Sequence, residues 1–188
     1  MILARSPDET GAFARRVAMA LRAGDIVLLI GDLGAGKTTF TKALARALGV
    51  DEPVTSPTFT LVRTYATATD LVLVHIDAYR LEGREGLDDL ALPELLEDGG
   101  CAVIEWGDLV AGAVGPDHLD IRFEPVDDDD GARLLSVTGH GSWSARAARL
   151  ASRDELTALG SARSKTVSAT HPDAPFEAAA DPSRAPTR

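Results

Sequence analysis

A single cysteine, Cys101, stands in this chain of 188 residues. No disulfide can therefore form within it, and a reducing compartment is expected. Ala102, Val103 and Ile104 follow it, which marks Cys101 as a small buried apolar residue rather than a nucleophile. No run of 18 apolar residues occurs, so no membrane-spanning helix and no membrane partner is expected. Met1–Pro7 lacks the long apolar core of a signal peptide, and the expected location is the cytoplasm. Positive charge is scarce over most of the length. Residues 1–141 hold 12 Lys and Arg against 24 Asp and Glu, whereas residues 142–188 hold 7 against 5. So acidic a region lacks the basic footprint of a protein that grips nucleic acid alone. If nucleic acid is the ultimate substrate, another subunit holds it. No internal repeat is present.

What is there begins with Gly31-Asp32-Leu33-Gly34-Ala35-Gly36-Lys37-Thr38-Thr39. The run fits G-x-x-x-x-G-K-[ST], the phosphate-binding loop of nucleoside triphosphatases. Its surroundings fit as well. It follows Asp25–Ile30, an apolar run of buried-strand type, and precedes Phe40, Ala43, Leu44, Ala47 and Leu48, which share one helix face. Glycine lets the backbone of Gly31, Gly34 and Gly36 turn tightly and aim N–H groups at phosphate. A helix starting near Lys37 adds its unpaired N–H groups and positive dipole end. Lys37 then reaches the β- and γ-phosphates, and the Thr38 hydroxyl reaches Mg²⁺. ATP and Mg²⁺ are the expected cofactors.

The remaining elements alternate. Met1–Ala4 reads as an edge strand, and Asp8 or Thr10 as the cap of a helix that ends by Gly24. Thr58–Tyr65 and Leu71–Ile76 read as strands with a hairpin connection, and Arg84–Leu96 as a helix interrupted by Pro93. Cys101–Glu105 is a fully apolar strand ending in an acid. Leu119–Phe123 and Leu134–Thr138 read as closing strands joined by an acidic turn at 127–131. The fold class is α/β: a three-layer P-loop NTPase with a mostly parallel central sheet and some antiparallel strands. Residues 1–141 form the P-loop ATPase domain. Residues 142–188 form an Ala/Ser/Arg/Pro-rich tail, largely disordered, with room for a short helix near Ser144–Leu159. No motif lies in this tail, so it is expected to be dispensable for chemistry.

Two acids close strands, Asp77 after Val72–Ile76 and Glu105 after Ala102–Ile104. Strand C-termini line the ligand crevice of a parallel sheet, and triphosphate chemistry needs a carboxylate near Mg²⁺. His75 shares a strand face with Asp77 and admits two readings, a hydrogen-bonded core histidine or a catalytic group. Val54–Thr60 also admits two. It is a Ser-Pro turn leading into a strand, or a segment that senses the γ-phosphate.

Four blocks occur in order: the phosphate loop at 31–39, Ser-Pro-Thr-Phe-Thr-Leu-Val at 56–62, His-Ile-Asp-Ala-Tyr-Arg-Leu at 75–81, and Ile-Glu-Trp at 104–106. Together they resemble the TsaE (YjeE) family of bacterial tRNA threonylcarbamoyladenosine-biosynthesis ATPases, over residues 1–140. The resemblance implies a P-loop domain that binds and slowly hydrolyses ATP with Mg²⁺. It implies action with the TsaD–TsaB pair, which places the threonylcarbamoyl group on the tRNA adenosine beside the anticodon. Contact with tRNA is then indirect, through that complex. By position, Lys37 would hold the phosphates with Gly34, Ala35 and Gly36, Thr38 and Glu105 would ligate Mg²⁺, and Thr39 would lie toward the α-phosphate. Asp77 would support the ion or the attacking water, so the catalytic set is Lys37, Asp77 and Glu105. Thr10 matches a nucleotide-contact position, Trp106 an aromatic position beside the site, and Ser56–Phe59 with His75–Arg80 the switch segments. The blocks do not extend to Arg133. The alternative activity is a P-loop small-molecule kinase with Asp77–Arg80 holding the acceptor. Against it stands the absence of an Arg-rich lid.

Overall fold

In a computed structural model, which describes residues 1–81, 83–127 and 129–152, seven strands share one sheet. The order along the chain is β1 (Ile2–Ala4), α1 (Pro7–Ala20), β2 (Ile26–Ile30), α2 (Lys37–Ala47), β3 (Val62–Ala66) and β4 (Val72–Asp77). It continues with α3 (Gly83–Asp88), α4 (Leu92–Glu97), β5 (Gly100–Glu105), β6 (Leu119–Val126), β7 (Asp129–Gly139) and α5 (Ser144–Ala151). The sheet order is β1-β7-β6-β2-β5-β4-β3. β6, β2, β5 and β4 run parallel, and β3, β7 and β1 join antiparallel. The expected P-loop α/β architecture is the one observed.

Period-two alternation explains the three layers. Val27 and Leu29 of β2 and Cys101 and Val103 of β5 pack on one side with Phe13 and Val17 of α1, Phe40 and Leu44 of α2, and Leu150 of α5. Leu28 and Ile30, Ala102 and Ile104 face the other way, against Leu87, Leu92, Val110 and Val114. Strands apolar on both faces can sit only inside such a sandwich.

The structure differs from the expectations in four places. The cap of α1 is Ser6, not Asp8 or Thr10. Ser6 Oγ accepts from the Glu9 N–H, and Glu9 Oε2 accepts from the Arg5 N–H, a variant of the capping box with Pro7 in the first turn. β3 begins at Val62 rather than Thr58. The Leu61 N–H instead closes a turn on the Pro57 carbonyl at 2.6 Å, and Leu61 lies in the left-handed region at φ 63°. The helical stretch splits into α3 and α4, with Pro93 seated in the first turn of α4, where a missing N–H costs nothing.

The fourth difference concerns the boundary. The compact unit runs from Met1 to Ser152, so the division expected at 141/142 falls inside it. Trp143 is fully buried, and Ala147 and Leu150 join the same core. Arg146 forms a two-pronged pair with Asp25, Nη1 to Oδ2 at 2.6 Å and Nη2 to Oδ1 at 2.7 Å. Low apolar content hid this, because one Trp and one buried Arg anchor the segment. The rest of the expected tail lies outside the described residues. Among those described, no helix is long and apolar enough to cross a membrane.

Candidate active site

Strand register assembles the site. Asp77 is paired with Glu105 across β4 and β5, and Glu105 with Leu29 of β2, two residues before Gly31. Both acids therefore stand where β2 opens into the phosphate loop. In that loop Gly31 adopts φ 148°, and a Cβ there would come within 2.7 Å of the Phe123 carbonyl oxygen. Gly36 adopts φ 105° as the cap of α2 and leaves the helix start without a side-chain cap. The first N–H groups of α2 thus face the cleft.

The cleft measures about 500 Å³, within the range of small-molecule sites. Gly34, Ala35, Gly36, Lys37, Thr38, Thr39, Asp77 and Glu105 all line it, with Ser56, Thr58, Tyr79 and Trp106. Thr10 does not. It is buried on α1, and its neighbours Asp8 and Gly11 line a second groove that Thr39 also borders.

Lys37 Nζ donates to the carbonyls of Gly31 at 2.5 Å and Asp32 at 2.8 Å, and sits 3.7 Å from the centroid of the Trp106 ring. Burial holds its pKa below the ordinary lysine value, opposed by the charges of Glu105, Asp108, Asp77 and Asp32. Trp106, itself left-handed at φ 59°, packs on Tyr79 with the rings tilted by 47° and centroids 4.9 Å apart.

Glu105 connects three elements. Its Oε2 accepts from the Thr38 hydroxyl at 2.8 Å, and its Oε1 lies 2.9 Å from His75 Nε2. A carboxylate at that distance requires His75 Nε2 to carry the proton. His75 is fully buried, so its place is behind Glu105 rather than in the cleft. Asp77 gathers the two switch candidates. Its Oδ2 accepts from Ser56 Oγ at 2.7 Å and Thr58 Oγ1 at 2.8 Å, and its Oδ1 from the Tyr79 N–H at 3.1 Å. The Arg80 guanidinium lies 5.0 Å from the Phe59 ring centroid, so segments about twenty residues apart meet twice. A hydroxyl beside a carboxylate is a hard oxygen donor set that suits Mg²⁺. Loop N–H groups with a lysine suit phosphate.

Arg133 joins this end of the molecule from β7, donating to the Ala35 carbonyl at 3.2 Å and the Gly34 carbonyl at 3.3 Å. The motif blocks do not reach it. Arg122 of β6 and Arg133 of β7 both stand among the acids of this hairpin, and nothing in the sequence sets Arg133 apart from Arg122.

Residues 4–134 match the family described as threonylcarbamoyl adenosine biosynthesis protein TsaE. The chain is 39% identical over 137 residues to the tRNA threonylcarbamoyladenosine biosynthesis protein TsaE of Bacillus subtilis, spanning 73% of this chain and 84% of that one. It is 45% identical over 131 residues to the protein of that name from Streptomyces coelicolor, spanning 68% and 88%. The crystal structure of Bacillus subtilis YdiB superposes with a TM-score of 0.67 at 31% identity, covering 85% of this chain and 94% of that chain.

Proposed function

The chain belongs to the TsaE family of tRNA threonylcarbamoyladenosine biosynthesis, and from that premise we propose that it is a Mg²⁺-dependent ATPase of that pathway. The observation that carries the reading is the Thr38–Glu105 pair at 2.8 Å beside Lys37, at the mouth of a phosphate-loop cleft. Thr38 and Glu105 would hold Mg²⁺, whose charge, when bound, offsets that of the β- and γ-phosphates. His75 orients Glu105 by occupying Oε1, which leaves Oε2 to the cation side. Lys37 exchanges the carbonyls of Gly31 and Asp32 for phosphate oxygens, and the α2 N–H groups and loop amides complete the cradle. Thr39 borders the α-phosphate side. Asp77 fixes Ser56 and Thr58 and orients the attacking water.

Because Asp77 ties Ser56–Thr58 to the β4 end, a change at the γ-phosphate reaches both segments together. Phe59 is 85% exposed and Tyr79 58% exposed on those segments. They form the surface that docks on the TsaD–TsaB pair, and tRNA is met only through that pair. The test mixes the purified components and follows tRNA modification over many turnovers. Omitting this protein, or supplying Lys37→Ala, stops repeated cycles. Unchanged multi-turnover modification without it overturns the reading.

A further inference from the structure

At the other end of the sheet from the phosphate loop, three side chains with metal-ligating atoms face one another. Asp120 is on β6, and His118 lies two residues before it, on the same side of the extended chain. The Leu119–Gly139 register places His140 across from His118, and the His140 N–H donates to the His118 carbonyl at 2.9 Å. The ligand atoms of His118, Asp120 and His140 all lie within 4.8 Å of one another.

We propose that His118, Asp120 and His140 bind a divalent transition-metal ion of the zinc class. Three observations converge. His118 Nδ1 lies 2.9 Å from the Gly115 carbonyl, which directs its proton there and leaves the Nε2 lone pair facing Asp120. A metal-bound histidine is held by such an outer hydrogen bond. Asp120 Oδ1 is buried without a hydrogen-bond partner among the described residues, although His118 Nε2 stands 3.6 Å away. His140 Nε2 meets Asp120 Oδ2 at 3.1 Å, and the imidazoles stack with centroids 4.3 Å apart.

Two imidazoles and one carboxylate favour zinc, cobalt or nickel over Mg²⁺ and Ca²⁺, which take oxygen donors. Zinc binds nitrogen and oxygen at about 2.0–2.2 Å, so side-chain shifts of about an ångström close the set without moving either strand. Three protein ligands leave a position for water. The ion would tie the start of β6 to the end of β7, where the chain turns toward Trp143 and α5.

The experiment titrates the full chain, stripped of metal and free of nucleotide, with Co²⁺ followed by visible absorption and with Zn²⁺ by competition against a chromophoric chelator. One ion per chain is expected, with a rise in Tm. His140→Ala and Asp120→Asn lose at least the roughly 10–100-fold in affinity that removal of even an outer-shell partner costs. Asp120→Asn keeps the shape of the cluster, so a fold defect cannot imitate the loss. Glu105→Gln retains the ion. Wild-type binding no tighter than that of the two variants, or binding abolished by Glu105→Gln, overturns the assignment.

Discussion

Asp25, just before β2, and Glu105, the last residue of β5, are both buried carboxylates on paired strands, 7% and 3% exposed, at opposite ends of the sheet. Asp25 meets the Arg146 guanidinium in two hydrogen bonds, and its Oδ2 also accepts from the Arg22 N–H at 2.7 Å. Arg146 in turn donates to the Ala20 carbonyl and lies over the Trp143 ring. Glu105 has a hydroxyl and an imidazole instead. A matched ion pair closes one end and leaves nothing for a ligand. A hydroxyl and an imidazole hold the other carboxylate in place, with no guanidinium or ammonium bonded to it, at the wall of the cleft. The same sheet thus uses one acid to fasten its last helix and one to face a cleft.

Breaking the closed end should have the largest effect. Ending the chain at Gly141 removes Trp143, Arg146 and Leu150 together. Loss of a buried Trp costs about 3–5 kcal/mol and an uncompensated buried charge about as much again, against a total stability of roughly 5–15 kcal/mol. No cooperative thermal transition is expected from that chain, whereas one ending at Ser152 should melt like the full-length protein. Equal Tm values for both truncations would remove the closed end from the comparison.

Arg146→Ala isolates the pair. It should cost about 3–5 kcal/mol in urea denaturation, because Asp25 is left buried and unmatched. A loss below about 1 kcal/mol would show that water reaches Asp25.

The open end should respond in function rather than in stability. Lys37→Ala is expected to lower ATP turnover by about 10²–10³-fold, the cost of removing one preorganised donor to developing charge. Glu105→Gln should lower Mg²⁺-dependent turnover more than it weakens metal-free nucleotide binding, and shift stability by less than about 1 kcal/mol. Equal weakening of metal-free and metal-bound nucleotide would sever Glu105 from the cation.

The smallest effect is at Cys101, on β5 near the closed end. Burial first, then the charge of Asp25, pushes its thiol up to about 12 from 9.0. The native thiol therefore stays protonated while an unfolded one ionises. This contribution to stability is intact below pH 9.0 and is lost progressively as pH rises toward about 12. Iodoacetamide should modify Cys101 only after denaturation. Rapid labelling of the folded chain would place it outside the core.

Local spacing made much of this legible. The β2–loop–α2 unit, the apolar run of β5 and the strand-end acids are contiguous patterns, each imposed by one hydrogen-bonding geometry. The cap of α1 is equally local, since Ser6-Pro7-Asp8-Glu9 spells a capping box, but Asp8 and Thr10 are cap-type residues too and only the hydrogen bonds single out Ser6. The alternation of β3 continues back through Thr60 and Thr58, so the pattern alone reads as a longer strand than Val62–Ala66. Only the tie of Ser56 and Thr58 to Asp77 shows why the chain turns there first.

The phosphate loop and the alternating α/β order follow from residues adjacent in the chain, and the family from four such short blocks in a fixed order. Which distant groups meet follows only from how the strands pack. His75 stands behind Glu105, Arg133 reaches the carbonyls of Gly34 and Ala35, Arg146 crosses 121 positions to Asp25, and His140 lies opposite His118. These meetings depend on strand order and register, which arise when two faces of a sheet are buried at once. A charge such as Arg146 carries no local mark of the partner whose burial requires it.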